Sequence, residues 1–238
     1  MKHAYVYLRE ALRWRRRFPG CCRVAELKAS FPDWRRSLRP GANALSDALP
    51  WMTYGAIRFL EGILRSGMRV FEYGAGGSSL FLSPRVAQVV SVEHDPLWAD
   101  RVREGAGKRN LRNLTLLQIS PERLSAADPD PADLDGYGTS DTSLAGHTFR
   151  RYAGSIDAYP EGHFQVVIID GRSRPSCFKH AFQRVGASGW LVLDNAERPH
   201  YWRILDSLHR MGWPQSDFAG PGPYNAYFWR TCVWQRPT

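Results

Sequence analysis

A chain of 238 residues, 43% hydrophobic, can close one sizeable core with decorations, and its four cysteines, Cys21, Cys22, Cys177 and Cys232, form no C-x-x-C pair. No apolar run is long enough for a membrane span or a signal-peptide core, so a soluble protein in the reducing cytoplasm is expected. The net charge of +9 sits at the front, where residues 1–40 hold eleven Lys/Arg against Glu10, Glu26 and Asp33; it reads as a solvated basic face or as a grip for an anionic partner.

From Tyr5 to Phe18, Tyr7, Ala11, Trp14 and Phe18 recur at helical spacing while Arg13, Arg15, Arg16 and Arg17 fill other faces, which predicts a basic amphipathic helix stopped by Pro19-Gly20. Such a helix packs on its own domain or lies on a membrane surface. A loop-rich passage through Pro32, Pro40-Gly41 and Pro50 is expected to follow, and then a second amphipathic helix over Thr53–Leu64. Residues 1–50 therefore read as a basic helical extension and 51–238 as the main domain.

Next come short apolar runs without alternation, as in a parallel sheet buried on both faces. They predict strands at Arg69–Tyr73, Val89–Glu93, Leu114–Ile119, Gln165–Asp170 and Trp190–Asp194, with helices at Pro96–Gly105, Cys177–Val185 and Arg198–Met211. Trp213–Phe218 and Phe228–Gln235 flank a Gly/Pro loop and predict an antiparallel hairpin. About forty-five residues separate the third and fourth strands, far more than a crossover needs. An insertion is placed at 125–160, and with the N-terminal helices it is the expected lid. Its aspartates do not follow a calcium-loop order.

The stretch VFEYGAGGSS, residues 70–79, is a strand running into a glycine turn that opens a helix. Bare backbone N–H groups there suit an anionic or polar ligand. The dinucleotide pattern fails at its third glycine, where Ser79 stands. Glu72 would also face a pyrophosphate, and like charges in a partly dry crevice repel by several kcal/mol. A ligand that is cationic at that point removes the conflict.

With SVEHD at 91–95 closing the next strand, this stretch resembles the first two motifs of class I S-adenosylmethionine (SAM)-dependent methyltransferases. The resemblance implies an α/β, Rossmann-like three-layer sandwich whose seven-stranded, mostly parallel sheet ends in an antiparallel strand. It implies SAM as cofactor, with Glu72 near its methionyl end, Gly74 and Gly76 beneath it, Ser78 or Ser79 on its carboxylate and Glu93 on its ribose. Thr53, His94 and Asp170 are also assigned to the cofactor, and Asp95 and Ser120 are positional candidates for the adenine.

The strand ends VVIIDGRSR (166–174) and WLVLDN (190–195) resemble the Mg²⁺ site of catechol- and caffeoyl-coenzyme A-type O-methyltransferases, which implies Asp170, Asp194 and Asn195 as metal ligands and as catalytic groups together with Arg172. Those enzymes carry a lysine base where this chain has Ser173. Either the metal with Asp170 takes over that role, or His163, His180 or His200 does, or no metal binds and Arg172 and Arg174 hold an anionic substrate. DGRSR (170–174) and DNAER (194–198), together with LPWMTY (49–54) and FAGPGPY (218–224), resemble a bacterial branch related to the FkbM type, implying hydroxyls of sugars or natural products as acceptors. Trp51, Tyr54, Trp190, Trp202, Tyr224 and Tyr227 are candidate pocket walls or core residues. The alternatives are an RNA ribose methyltransferase gripping phosphates with its basic N-terminus and a non-catalytic SAM-binding protein; a homodimer is compatible with all three.

Overall fold

Seven strands form one sheet in the computed structural model, which describes residues 2–124 and 128–238. Met1 of the expected extension and residues 125–127, the start of the expected insertion, lie outside the described residues. In chain order the strands are β1 (Arg69–Tyr73), β2 (Gln88–Glu93), β3 (Leu114–Gln118), the short β4 (Glu122–Arg123) and β5 (His147–Thr148), β6 (Phe164–Ile169), β7 (Val185–Leu193), β8 (Gln215–Gly220) and β9 (Trp229–Gln235). The sheet order is β3-β2-β1-β6-β7-β9-β8, and β4, just ahead of the insertion, pairs with β5 within it in a separate ribbon. β9 runs antiparallel to both neighbours, whereas β3, β2, β1, β6 and β7 pair in parallel. This is the expected Rossmann-like sandwich with its antiparallel last strand.

Successive strand residues point to opposite faces, so the unbroken apolar runs supply two cores. Val70, Val89, Val166, Ile168 and Val192 belong to one, shared with helices α1 (Lys2–Arg17), α2 (Val24–Ser37) and α4 (Tyr54–Ile63). Phe71, Tyr73, Val167, Ile169 and Leu191 belong to the other, shared with α8 (Arg174–Ala181) and α9 (Trp202–Arg210). Between these lie α3 (Ala44–Asp47), α5 (Gly77–Leu82), α6 (Pro96–Lys108) and α7 (Arg150–Ala153).

The expected loop through Pro32 is instead helix α2, with Pro32 in its interior. A proline there forgoes one ladder hydrogen bond and costs about 3 kcal/mol. Tertiary packing offsets it. Leu27, Ser30, Trp34 and Ser37 form a buried stripe, and Trp34, fully buried, donates Nε1–H to the Asn225 carbonyl at 2.8 Å. Tyr7 of α1 packs edge-on against both Trp34 and Phe228, at 4.8 and 5.0 Å between centroids. Its hydroxyl donates to the Leu27 carbonyl at 2.6 Å. Strand β7 also begins earlier than expected, because Gly186 and Gly189 read as turn residues but sit where neighbouring backbone comes within 2.9 Å of a would-be Cβ. Among the described residues no helix is long and apolar enough to cross a membrane.

Strand order reverses at β1, whose neighbours β2 and β6 lead the chain to opposite edges of the sheet. Ligands of open α/β sheets bind at the carboxyl ends of the strands flanking such a point. β1 ends on the glycine turn, β2 on Glu93 and β6 at Asp170.

Candidate functional site

Register places Glu72 beside Ser91, and both sit in the sheet among apolar residues. Glu72 is fully buried, and its Oε2 accepts hydrogen bonds from Ser79 Oγ at 2.5 Å and Ser91 Oγ at 2.7 Å. Its Oε1 is equally buried and has no partner. Burial pushes the carboxyl up to about 7, even though the serine hydroxyls pull it back down. Ser79 Oγ also accepts the Gly76 N–H at 3.0 Å, so one serine ties the acid to the glycine turn. Ser91 was not anticipated, although a lone hydroxyl in an otherwise apolar strand was the signal for it.

Above this layer a cleft of about 410 Å³ opens, floored by Gly74 to Ser78 and walled by Glu93, His94 and Trp98, with Asp170 to Arg172 opposite and Trp51 over it. Glu72 therefore lies beneath the floor and does not line the cleft. Ser78 lines the cleft, while Ser79, also expected on the ligand, is fully buried and engaged with Glu72. Glu93 Oε1 accepts the backbone N–H groups of His94 and Asp95 at 2.8 and 2.9 Å and lies 2.7 Å from His94 Nδ1. That holds the carboxylate at the cleft wall. Asp95 caps α6 by accepting from Leu97 and Trp98 N–H. Trp98, missed in the sequence, donates Nε1–H to the Ala75 carbonyl at 2.7 Å and pins the turn.

The glycines have different reasons to be glycine. Gly74 has φ +91°, and a Cβ there would come within 2.9 Å of the Gly171 backbone. A Cβ on Gly77 would meet the Ala44 carbonyl oxygen at 2.2 Å, so the N-terminal segment closes on this turn. Gly76 is in extended backbone, and its Cβ would meet nothing nearer than 3.9 Å. No contact within the chain demands glycine at 76, whereas a ligand seated on the turn would. Gly76→Ala is accordingly expected to leave the melting temperature within about 2 °C of wild type, as for changes outside strained or packed sites, while weakening binding of the SAM that the sequence resemblance implies at least about tenfold. Calorimetry with S-adenosylhomocysteine checks this, and an equal loss of stability would remove the argument.

The strand ends of β6 and β7 are joined by a guanidinium. Buried Arg174 donates Nε–H to the Gly171 carbonyl at 3.0 Å and Nη2–H to Asp170, at 2.8 Å to its carbonyl and 2.9 Å to Oδ1, and donates Nη1–H to the Asp194 carbonyl. Asp194 is turned away from the cleft: its Oδ1 accepts from Thr231 Oγ1 at 2.5 Å and Trp229 Nε1 at 3.0 Å. Thr53 donates to that same Thr231 at 3.0 Å, so it belongs to this buried chain and does not line the cleft. Burial pushes Asp170 up while Arg174 pulls it back, and burial with Asp170 nearby pushes Asp194 well above the carboxylate range.

The expected metal set of Asp170, Asp194 and Asn195 is therefore not assembled. Asn195 sits in a turn at φ +50°, and among the described residues no three His, Cys, Asp or Glu groups stand close enough to hold an ion. A divalent ion favours carboxylates without a resident cation, and here Oδ1 of Asp170 is paired with Arg174 while Oδ1 of Asp194 accepts from a hydroxyl and an indole. The residues present do not fit Mg²⁺.

The insertion reaches this end of the sheet. Its Asp141 pairs with Arg172 at 3.0 Å, and Tyr137 N–H bonds Ser176 Oγ of α8 at 3.0 Å. Of the three histidines, His163 packs on Tyr159 and Phe164 near the start of β6, and His180 is held by Asp157 at 2.6 Å and Tyr137 at 3.2 Å. Only His200 stands beside the strand ends, 3.5 Å from Ser140 Oγ, where burial and Arg198 and Arg174 push it down and keep it neutral near pH 7. Of the candidate aromatic walls, Trp51 is on the cleft, edge-on to Tyr224 at 5.9 Å; Tyr54 is buried, and Trp202 and Tyr227 are exposed.

No protein-family model matches the chain, and no curated protein matches it. Solved structures do. The O-methyltransferase TomG from Streptomyces achromogenes, involved in tomaymycin synthesis and solved with SAM, superposes with a TM-score of 0.58 at 16% identity over 82% of this chain and 90% of that one. A putative O-methyltransferase from Klebsiella pneumoniae gives 0.54 at 12% identity over the whole of both chains. An rRNA methylase from Streptococcus thermophilus gives 0.53 at 10% identity over 76% of this chain and 93% of that one. The chain thus has the fold of the class I SAM-dependent methyltransferases.

Proposed function

We propose that this chain is a SAM-dependent methyltransferase that methylates a hydroxyl of a small molecule of sugar or natural-product type. The observation that carries the reading is one cleft, at the reversal of strand order, with a buried acid under its glycine floor and a second carboxylate, Glu93, at its wall. Two of the three similar structures reported above are described as O-methyltransferases. Glu72 supplies negative potential through the floor, Ser78 and the bare N–H groups of the turn suit a ligand carboxylate, and Glu93 suits paired ribose hydroxyls. SAM, when bound, supplies a methyl group already activated on a sulfonium. The chain then has to orient the acceptor and exclude water, which Trp51, Arg172 and the insertion are placed to do. Of His163, His180 and His200, this reading assigns the proton to His200, which lines the space beside Arg172 and Arg174. The cytoplasmic location expected from cysteine usage belongs to the same reading.

Calorimetry with SAM, S-adenosylhomocysteine, NAD and NADP tests it. Below pH 7 Glu72 mostly holds its proton, and a cation arriving above it favours the ionised form. SAM affinity should therefore rise as pH climbs to about 7 and level off above, with up to about one proton released per binding event at the lower pH. Glu72→Gln should flatten that dependence. Binding of NAD without SAM would sink the reading.

A second reading, methylation of an RNA ribose hydroxyl, is favoured by one observation. Arg15, Arg16 and Arg17 in the last turn of α1 are exposed and make no ion pair among the described residues. Affinity for a short RNA that falls steeply with salt would support it.

A further inference from the structure

Beside the cofactor cleft, and sharing Gly171 and Arg172 with it, lies a second and narrower cavity of about 20 Å³. The insertion roofs it with Gly138, Thr139 and Ser140, and its other wall comes from Ser173, Arg174 and Arg198. Its volume admits a terminal group of a few atoms and no ring.

Three features of this cavity lack a counterpart among the described residues. Ser173 is only 4% exposed, yet its Oγ is buried without any hydrogen-bond partner. Arg172 keeps a terminal nitrogen on Asp141 at 3.0 Å, but its Nε–H is buried with no acceptor. Each such orphan carries a desolvation penalty that a ligand partner would remove. Ser173 is also held in the left-handed region at φ +49°, just ahead of the first turn of α8, whose N-terminal end favours negative charge. Arg174 pairs with Asp170 and Arg172 with Asp141, while Arg198 makes no direct ion pair among the described residues and acts on Asp170 only from a distance. Asp130 is the further acid near His200 at this rim.

We infer that this cavity is an acceptor subsite for a terminal oxyanion, a carboxylate in the first instance. Arg198 supplies the counter-charge, and Ser173 Oγ–H and Arg172 Nε–H supply the donors. The inference rests on the reading of the adjoining cleft as a cofactor site. The acceptor is then a hydroxy acid whose charged end is gripped beneath the insertion while its hydroxyl extends over Gly171 toward the cleft. Because Arg172 touches both spaces and is tied to Asp141, filling the subsite would also hold the insertion closed over the cleft.

The test is calorimetry on the protein saturated with S-adenosylhomocysteine, titrated with 3-hydroxybenzoate, with its uncharged amide 3-hydroxybenzamide, and with 3-hydroxyphenyl phosphate. The carboxylate should bind at least about tenfold more tightly than the amide. Arg198→Gln should erase that preference, and Ser173→Ala should weaken carboxylate binding several-fold. S-adenosylhomocysteine affinity and melting temperature should stay at wild-type values in Arg198→Gln, whose side chain is exposed, which guards against a folding artefact. Tighter binding of the phosphate than of the carboxylate, lost in the same variant, supports the subsite and identifies phosphate as its group. The inference is overturned if the amide binds as well as the acid, if Arg198→Gln changes nothing, or if none of the three probes binds. Failure of the wild-type protein to bind S-adenosylhomocysteine would instead overturn the cofactor reading itself.

Discussion

Arg174→Met is expected to destabilise the protein by about 3–5 kcal/mol and to lower its melting temperature by roughly 10 °C. The side chain is 6% exposed, and its donors are taken by two carbonyls at the strand ends and by both oxygens it meets on Asp170. A methionine fills similar volume but leaves Asp170 buried without a counter-charge, and it leaves the Gly171 and Asp194 carbonyls without their donor. Burial already pushes Asp170 up, so without the guanidinium this carboxyl would bind its proton over a still wider range of pH. Adding Asp170→Asn to the methionine variant should recover part of the loss, because the buried charge is then gone. Denaturant titration of the single and double variants checks this. A loss under about 1 kcal/mol in the single variant would mean that Arg174 is not the clamp described.

Glu93→Ala is expected to weaken SAM and S-adenosylhomocysteine binding by about 100-fold, close to 3 kcal/mol. The figure follows from two hydroxyl hydrogen bonds to a carboxylate, each contributing about 1.5 kcal/mol. Glu93 is 4% exposed and its Oε1 is spent on the turn that follows β2, so alanine would also loosen the His94 and Asp95 backbone. Glu93→Gln separates the two effects: its amide oxygen can still accept those N–H groups, and about a tenfold loss of affinity is expected from the missing charge alone. Unchanged nucleoside affinity in both variants would remove Glu93 from the cofactor site.

Legibility in the sequence differed between backbone and side chains. β1 was expected at Arg69–Tyr73 and is found there, β2 and β3 differ from expectation by one residue at one end, and β6 is shifted by one residue at both ends. Their apolar runs show no alternation, as expected of strands buried on both faces. The terminal hairpin was equally plain, since its Gly/Pro loop separates two aromatic-rich runs. Pro32 misled because its local preference against a helix interior is outweighed by Trp34, whose burial against α1 and the loop before β9 involves residues far away in sequence. Asp194 misled for a similar reason. An Asp-Asn pair at a strand end suits a metal, but Thr231, thirty-seven residues on, takes the carboxylate.

The sequence by itself determined the alternation of strand and helix, the glycine turn, and the acids that close β1 and β2. Each of these follows from backbone geometry and local residue chemistry acting over a few positions. Only the tertiary structure decided that Glu72 lies beneath the cleft, that Arg174 holds the place proposed for a metal, and that Thr53 joins Thr231 across 178 residues to support Asp194. The physical reason is that a buried polar atom must find a partner, and which partner it finds is settled by the packing of distant segments.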